Sequence, residues 1–316
     1  MKRCFFVIFL ILGTVIGSGF STGKEIAVFF SRFGYYSFAF IPLAFCLFYF
    51  AFYFLMSKGK DRKWNEKSKY LNVIMLFCAS IFSASMFAGI QNCGINFGHV
   101  GCFVLISIVL VFCFVACFKN LLFLSKTNVF LVPVLLLILI SFFFIILPDC
   151  SLSINGGRDS LLGMFFCCLY VVLNISLSSV VIASCGEGLT KKQIRFASFV
   201  SAFILSAFIF VINFVILCNY DLIFSSMPLL SLSSGVMNVL LHFVIIVGCL
   251  TTLLSMVYIS ATSCERLGMK HFSKFFVSVV IPFVLSLIGF SSIVSILYPI
   301  ASFLGIIVLF LLFGRA

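Results

Sequence analysis

Residues 130–147 and 293–313 form two apolar runs without a single charged side chain. Neither run alternates in polarity, as the strands of a membrane barrel with a polar lumen would. In lipid, such a run satisfies its own backbone hydrogen bonds only as a helix. Composition points the same way. Of the 316 residues, 64% are hydrophobic and 9% are charged, against roughly 25% charged in a soluble domain. There is too little polar side chain to cover a water-facing surface. A soluble enzyme, a secreted disulfide scaffold and a disordered chain are excluded. An all-α polytopic membrane protein is left, with the lipid bilayer as its outer solvent.

The apolar segments number about ten: 4–30, 37–56, 71–92, 99–118, 128–147, 161–184, 196–218, 236–263, 274–290 and 293–313. Most have the ~20 residues that cross ~30 Å of hydrocarbon. Met1-Lys2-Arg3 and the apolar stretch behind them imitate a secretory signal, but no convincing cleavage site follows, so a retained first span is expected. With the N-terminus inside, 17 of the 20 basic residues fall in inner loops, leaving Lys24, Arg32 and Arg158 outside. This positive-inside bias predicts a multi-pass bacterial plasma-membrane protein with both termini cytoplasmic. It also accounts for the net charge of +12 without nucleic acid. Most of the 14 cysteines lie within apolar spans and read as packing residues. Cys93 and Cys150 fall in expected outer loops, and their pairing is left open.

Ten spans make a single transmembrane domain of two halves, about 4–147 and 161–313, divided at the polar loop from Pro148 to Asp159. Five is odd, so the second half enters the membrane with opposite orientation. Related halves would form an inverted repeat, as in many secondary transporters. The first span carries the most unusual stretch, Gly13-Thr14-Val15-Ile16-Gly17-Ser18-Gly19-Phe20-Ser21-Thr22-Gly23. Each glycine in a helix interior costs about 1 kcal/mol relative to alanine. A broken helix here would free main-chain groups for an ion and a solute. The spacing of Gly13 to Gly17 and of Gly19 to Gly23 also suits close helix packing. The sixth span offers Tyr170, Asn174 and Ser176, without a central Gly or Pro, and Asn174-Ile175-Ser176 is its expected interruption. Lys24, Glu25 and Arg32 follow the first break as gating or proton-coupling candidates, since intramembrane charge is a functional suspicion by default.

Residues 13–26 (Gly-Thr-Val-Ile-Gly-Ser-Gly-Phe-Ser-Thr-Gly-Lys-Glu-Ile), with Phe29-Phe30, Phe33-Gly34 and the late Leu297-Tyr298-Pro299-Ile300-Ala301, resemble the YkvI-like bacterial membrane proteins. That family is assigned to the amino acid–polyamine–organocation superfamily. The resemblance implies the LeuT-type fold, a five-plus-five inverted repeat whose first and sixth helices are broken. It further implies a Na⁺ site between the first and eighth spans. On this chain the matching positions are Gly13 and Ile16, facing Gly248, Thr251 and Thr252. The last three stand at i, i+3 and i+4 and so share a helix face. All five donors are oxygens, as a hard cation requires. Thr in a membrane helix also often bonds back to its own preceding turn.

The function expected from this resemblance is secondary transport of a small organic solute, an amino acid or related amine, in symport with Na⁺. The solute would meet Gly17, Ser18, Gly19 and Phe20 on the first span, and Tyr170, Asn174 and Ile175 on the sixth. The alternatives are a transporter-like sensor that binds without transport, and proton coupling through Glu25. No catalytic motif occurs in the sequence, so no enzyme is expected. No cofactor is expected beyond Na⁺ as the coupling ion, and no oligomeric state is implied.

Overall fold

The computed structural model describes residues 2–60, 69–118, 121–147 and 159–313. Among the described residues every regular element is helical. In chain order they are α1 (Lys2–Val15), α2 (Ser18–Ser21), α3 (Lys24–Phe29), a 3₁₀ run Ser31–Tyr36, and α4 (Ser37–Lys60). Next come α5 (Lys69–Ile95), α6 (Gly98–Phe118), α7 (Leu121–Ile146), α8 (Ser160–Cys185) and α9 (Lys191–Cys218). The short α10 (Pro228–Ser231) leads into the long α11 (Gly235–Arg266). The last two spans are interrupted. One joins α12 (His271–Phe275) to α13 (Ile281–Leu285) through a π-turn, and the other joins α14 (Phe290–Ser292) to α15 (Tyr298–Phe313) in the same way.

Nine of these segments, among the described residues, are long and apolar enough to cross a membrane. The first expected span is the exception. Its apolar helix covers only Arg3–Val15, about 20 Å at 1.5 Å per residue, which falls short of ~30 Å of hydrocarbon. The remaining depth is left to α2 and α3. The last two spans part at Gly289, whose φ of 97° and ψ of 145° suit glycine and end the preceding turn. α9 starts five residues before its expected first residue, because Thr190 and Gln193 form a reciprocal capping box at its N-terminus.

The sixth helix departs from expectation. α8 runs unbroken from Ser160 to Cys185 through Asn174-Ile175-Ser176. Its polar side chains reinforce the helix rather than opening it. Asn174 Nδ2 donates to Tyr170 O at 3.0 Å, Ser176 Oγ to Leu173 O at 3.0 Å, and Ser179 Oγ to Ser176 O at 2.7 Å. With no Gly or Pro at its centre, the ladder has neither a missing donor nor a flexible joint.

The distribution of side chains is inverted relative to a soluble protein. Phe50, Phe103, Phe130, Phe144 and Phe310 lie on the exterior, whereas Ser83, Ser85, Ser178, Thr251, Thr252, Ser255 and Ser260 are buried. In lipid, apolar surface gains nothing by turning inward, and helices associate through close packing and hydrogen bonds. The central helices α5, α8 and α11 are the most enclosed. α5 lies along α11, and α4 along both α8 and α9. The α4–α8 contact brings backbone against backbone. A Cβ on Gly59 would collide with Ala183 O, and one on Gly186 with Met56 O.

Overpacking at such a contact costs typically 1–3 kcal/mol. Gly59→Ala and Gly186→Ala should each lower the thermal midpoint in detergent, measured by fluorescence-detected size exclusion after heating. Ala at Gly268, where nothing lies within 4 Å of the added Cβ, tests φ strain alone and should cost less.

Candidate functional site

The site grows from the end of α1. Ile16 N still donates to Leu12 O at 2.7 Å, but Gly17 N turns to Val15 O at 3.0 Å. The helical ladder would have sent that N–H to Gly13 O, which is therefore freed. The chain resumes helix at Ser18 and stops again at Gly23, whose φ of 80° is left-handed. Thr22 O, released by this second interruption, accepts a hydrogen bond from Leu229 N of α10 at 3.0 Å. The first span is thus three helical pieces with two joints, at residues 16–17 and 22–23.

α11 supplies what the first joint lacks. Thr252 Oγ1 stands 3.1 Å from Gly13 O and 3.1 Å from Ile16 O. It meets two main-chain oxygens from a helix 236 residues or more away in sequence. Thr14 Oγ1 adds a second link to α11, 3.3 Å from Ser255 Oγ, while donating to Leu10 O at 2.7 Å. Gly248 lets α11 come this close. A Cβ there would lie 2.5 Å from Ser21 Oγ and 3.6 Å from Ile16 O. Gly13, Ile16, Gly248 and Thr252 therefore converge. Thr251 is buried next to them, but its hydroxyl donates to Gly248 O at 3.1 Å along its own helix.

Both roles considered for the glycines are realised, at different positions. Gly17 sits at the joint, and its added Cβ would meet Met86 Sδ at 3.1 Å. Gly13 lies inside α1 and makes room for α7, since its Cβ would fall 2.7 Å from Asn128 Nδ2. Asn128, at the head of the fifth apolar segment, escaped the sequence analysis. It is fully buried, and among the described residues neither its Nδ2 nor its Oδ1 has a hydrogen-bond partner. Ser21 Oγ, beside Gly248, is likewise buried and unpartnered. Buried polar atoms without partners are rare in folded proteins, and these border the convergence of Gly13, Gly248 and Thr252.

The expected solute-contact residues divide into two groups. Gly19 and Tyr170 approach one carboxylate, that of Glu25. Phe20 is wholly buried at the same junction. The side chain of Ser18 lies outside the described residues. Asn174 is occupied within α8, and Ile175 borders a lateral apolar groove between α4, α8 and α15 with Phe50, Val171 and Leu309. Lys24 and Arg32 are spoken for as well. Lys24 Nζ donates to Ser225 O at 2.7 Å and Ile223 O at 3.3 Å, tethering the segment before α10. The Arg32 guanidinium covers the Phe166 ring at 3.9 Å and Phe33 at 4.7 Å. Asn213 ties the 3₁₀ run to α9 by accepting from Ser31 Oγ at 2.9 Å and donating to Ser37 Oγ at 2.8 Å. Cys93 is buried in α5; Cys150, and with it the expected pair, lies outside the described residues.

No family model and no curated protein matches this chain.

Leaving a buried polar group unsatisfied costs roughly 1–3 kcal/mol. Thr252→Val removes the hydroxyl that Gly13 O and Ile16 O share and should destabilise by about 1–3 kcal/mol. Thr251→Val removes only a bond within its own helix turn and should cost less. Chemical denaturation of the two variants in the same detergent checks the order.

Proposed function

We propose that this chain is a secondary transporter of the LeuT-type architecture, a symporter of a small organic amine or amino acid with Na⁺. The observation that carries this reading is the meeting of Thr252 with Gly13 O and Ile16 O. A hydroxyl and two main-chain oxygens gather where a helix is interrupted, at a depth where lipid offers no hydrogen bonds. These are hard oxygen donors of the kind that suit an alkali cation. Gly248 brings a further main-chain segment to the same place, and a turn of the Thr251 hydroxyl away from Gly248 O would complete the set of five. Asn128 Oδ1 and Ser21 Oγ stand nearby with no other use.

The packing supports a five-plus-five repeat. Counting ten segments, the second (α4) lies along the seventh (α9), and the third (α5) along the eighth (α11). Two of the five pairs of segments five apart thus lie side by side. The resemblance of residues 13–34 and 297–301 to the YkvI-like proteins supports the same architecture. An unbroken α8 differs from that pattern, so in this reading the first span alone supplies freed backbone. Both termini lie on the cytoplasmic side, where the basic loops belong. Alternating access would swing the jointed first span and α8 against the α5–α11 pair.

In proteoliposomes, an inward Na⁺ gradient should drive accumulation of at least one solute from a panel of radiolabelled amino acids and amines. Replacing Na⁺ by choline should reduce the initial rate tenfold or more. Thr252→Val should abolish that Na⁺ dependence. Absence of uptake for every solute under both Na⁺ and proton gradients would overturn the reading.

A further inference from the structure

Glu25 is 2% exposed, and its Oε2 has no hydrogen-bond partner among the described residues. The cations nearest in sequence do not serve it. Lys24 is committed to the carbonyls of Ile223 and Ser225, and Arg32 to the rings of Phe33 and Phe166. Three elements close around the carboxylate. From α2, Gly19 leaves just enough room, since a Cβ there would collide with the Glu25 carboxylate. From α8, Tyr170 faces it, fully buried, and its hydroxyl makes no hydrogen bond of normal geometry among the described residues. From the last span, Tyr298 approaches Tyr170, but its own hydroxyl is committed to Ser85 Oγ at 2.8 Å. Phe29 and Phe30 flank the Tyr170 ring, with centroids 5.4 Å and 5.3 Å away.

A carboxylate taken out of water without a counter-charge is costly, and breaking such a pair is far worse than never burying it. At neutral pH the arrangement is complete only with a proton on the carboxyl or a cation beside it. Two unfilled oxygens, Glu25 Oε2 and Tyr170 Oη, ask for a partner that donates at least two hydrogen bonds. An alkali ion would need a larger oxygen set. A primary ammonium has three N–H donors, carries the missing charge, and gains further from the aromatic faces beside it. We infer that Glu25 and Tyr170 form the receptor for the ammonium group of the solute, so that this carboxylate selects amines and amino acids over acids and neutral analogues. The inference rests on the transport reading for the word solute, but its chemistry requires only binding. It also gives Gly19 a specific purpose: to let the carboxylate lie against the first span next to the joint.

The test uses the full chain in lipid nanodiscs, with n-butylamine, putrescine and L-leucine as amine probes and butyrate and n-butanol as matched controls. Thermal midpoints are followed against probe concentration at neutral pH. The amine probes should raise the midpoint of the wild-type protein, and butyrate and butanol should leave it unchanged. Glu25→Gln should raise the midpoint without any probe, because it removes a buried group that must be neutralised, and should weaken amine binding at least tenfold. A residue with a merely structural role would not move these two readings in opposite directions. Tyr170→Phe should weaken amine binding severalfold and keep the amine preference. Unchanged amine affinity in Glu25→Gln overturns the inference, as does equal binding of butyrate and butylamine, or the absence of a shift with every amine. Glu25-dependent amine binding without uptake would remove transport and keep the receptor. Na⁺-driven uptake with an unaltered KM in Glu25→Gln would do the reverse.

Discussion

A helix that stops inside a bilayer must find its hydrogen bonds within the protein. The interaction on which this structure depends is accordingly the one between Thr252 of α11 and the carbonyls of Gly13 and Ile16. Gly17 turns its amide to Val15 O and thereby frees Gly13 O. In water that oxygen would be solvated at no cost. In lipid it would be an orphan worth several kcal/mol. The joint and the threonine therefore require each other, and Gly248 is the residue that allows the approach. The second joint is settled by the same logic on a different element, with Leu229 N of α10 taking Thr22 O.

From this follows the division of labour among the helices. α5, α8 and α11 form the enclosed centre, and the outer helices present phenylalanines to lipid. The first span is held at both joints by side chains and backbone far away in sequence. Two kinds of unsatisfied polar group gather around it. Asn128 and Ser21 border the convergence at Gly13 and Gly248, whereas Glu25 and Tyr170 face one another beyond the first joint. Asn213, Thr14 and Tyr298 have by contrast been absorbed into structure. Polar groups left over beside a broken helix are the physical basis of the transport reading, since a binding site is a place where the protein alone does not complete its own hydrogen bonding.

Much of this was legible in the sequence for a simple reason. The apolar runs and the density of glycine in residues 13–23 are local patterns, read from the nearest few residues. The joint near Gly17 was expected on that basis, whereas the approach of Thr252 was implied by the resemblance to a family. The interruption of α8 was expected by analogy with a fold, against the local chemistry. Asn174 and the serines around it bond back to their own helix, and without Gly or Pro nothing opened it. Asn128 went unremarked because an amide within an apolar helix has many uses, and only its neighbours reveal which one applies.

The sequence by itself determined that this chain is a bundle of helices in a bilayer, and where the first of them is weakest. Periodicity, charge placement and glycine content act through the nearest few residues, so they can be read one segment at a time. Tertiary structure alone decided which threonine meets the joint, that Lys24 and Arg32 turn away from Glu25, and that Tyr170 turns toward it. Those choices depend on which helix faces are brought together across the bundle. Side chains hundreds of positions apart compete there for the same few hydrogen bonds, and the winner is set by the packing of all of them at once.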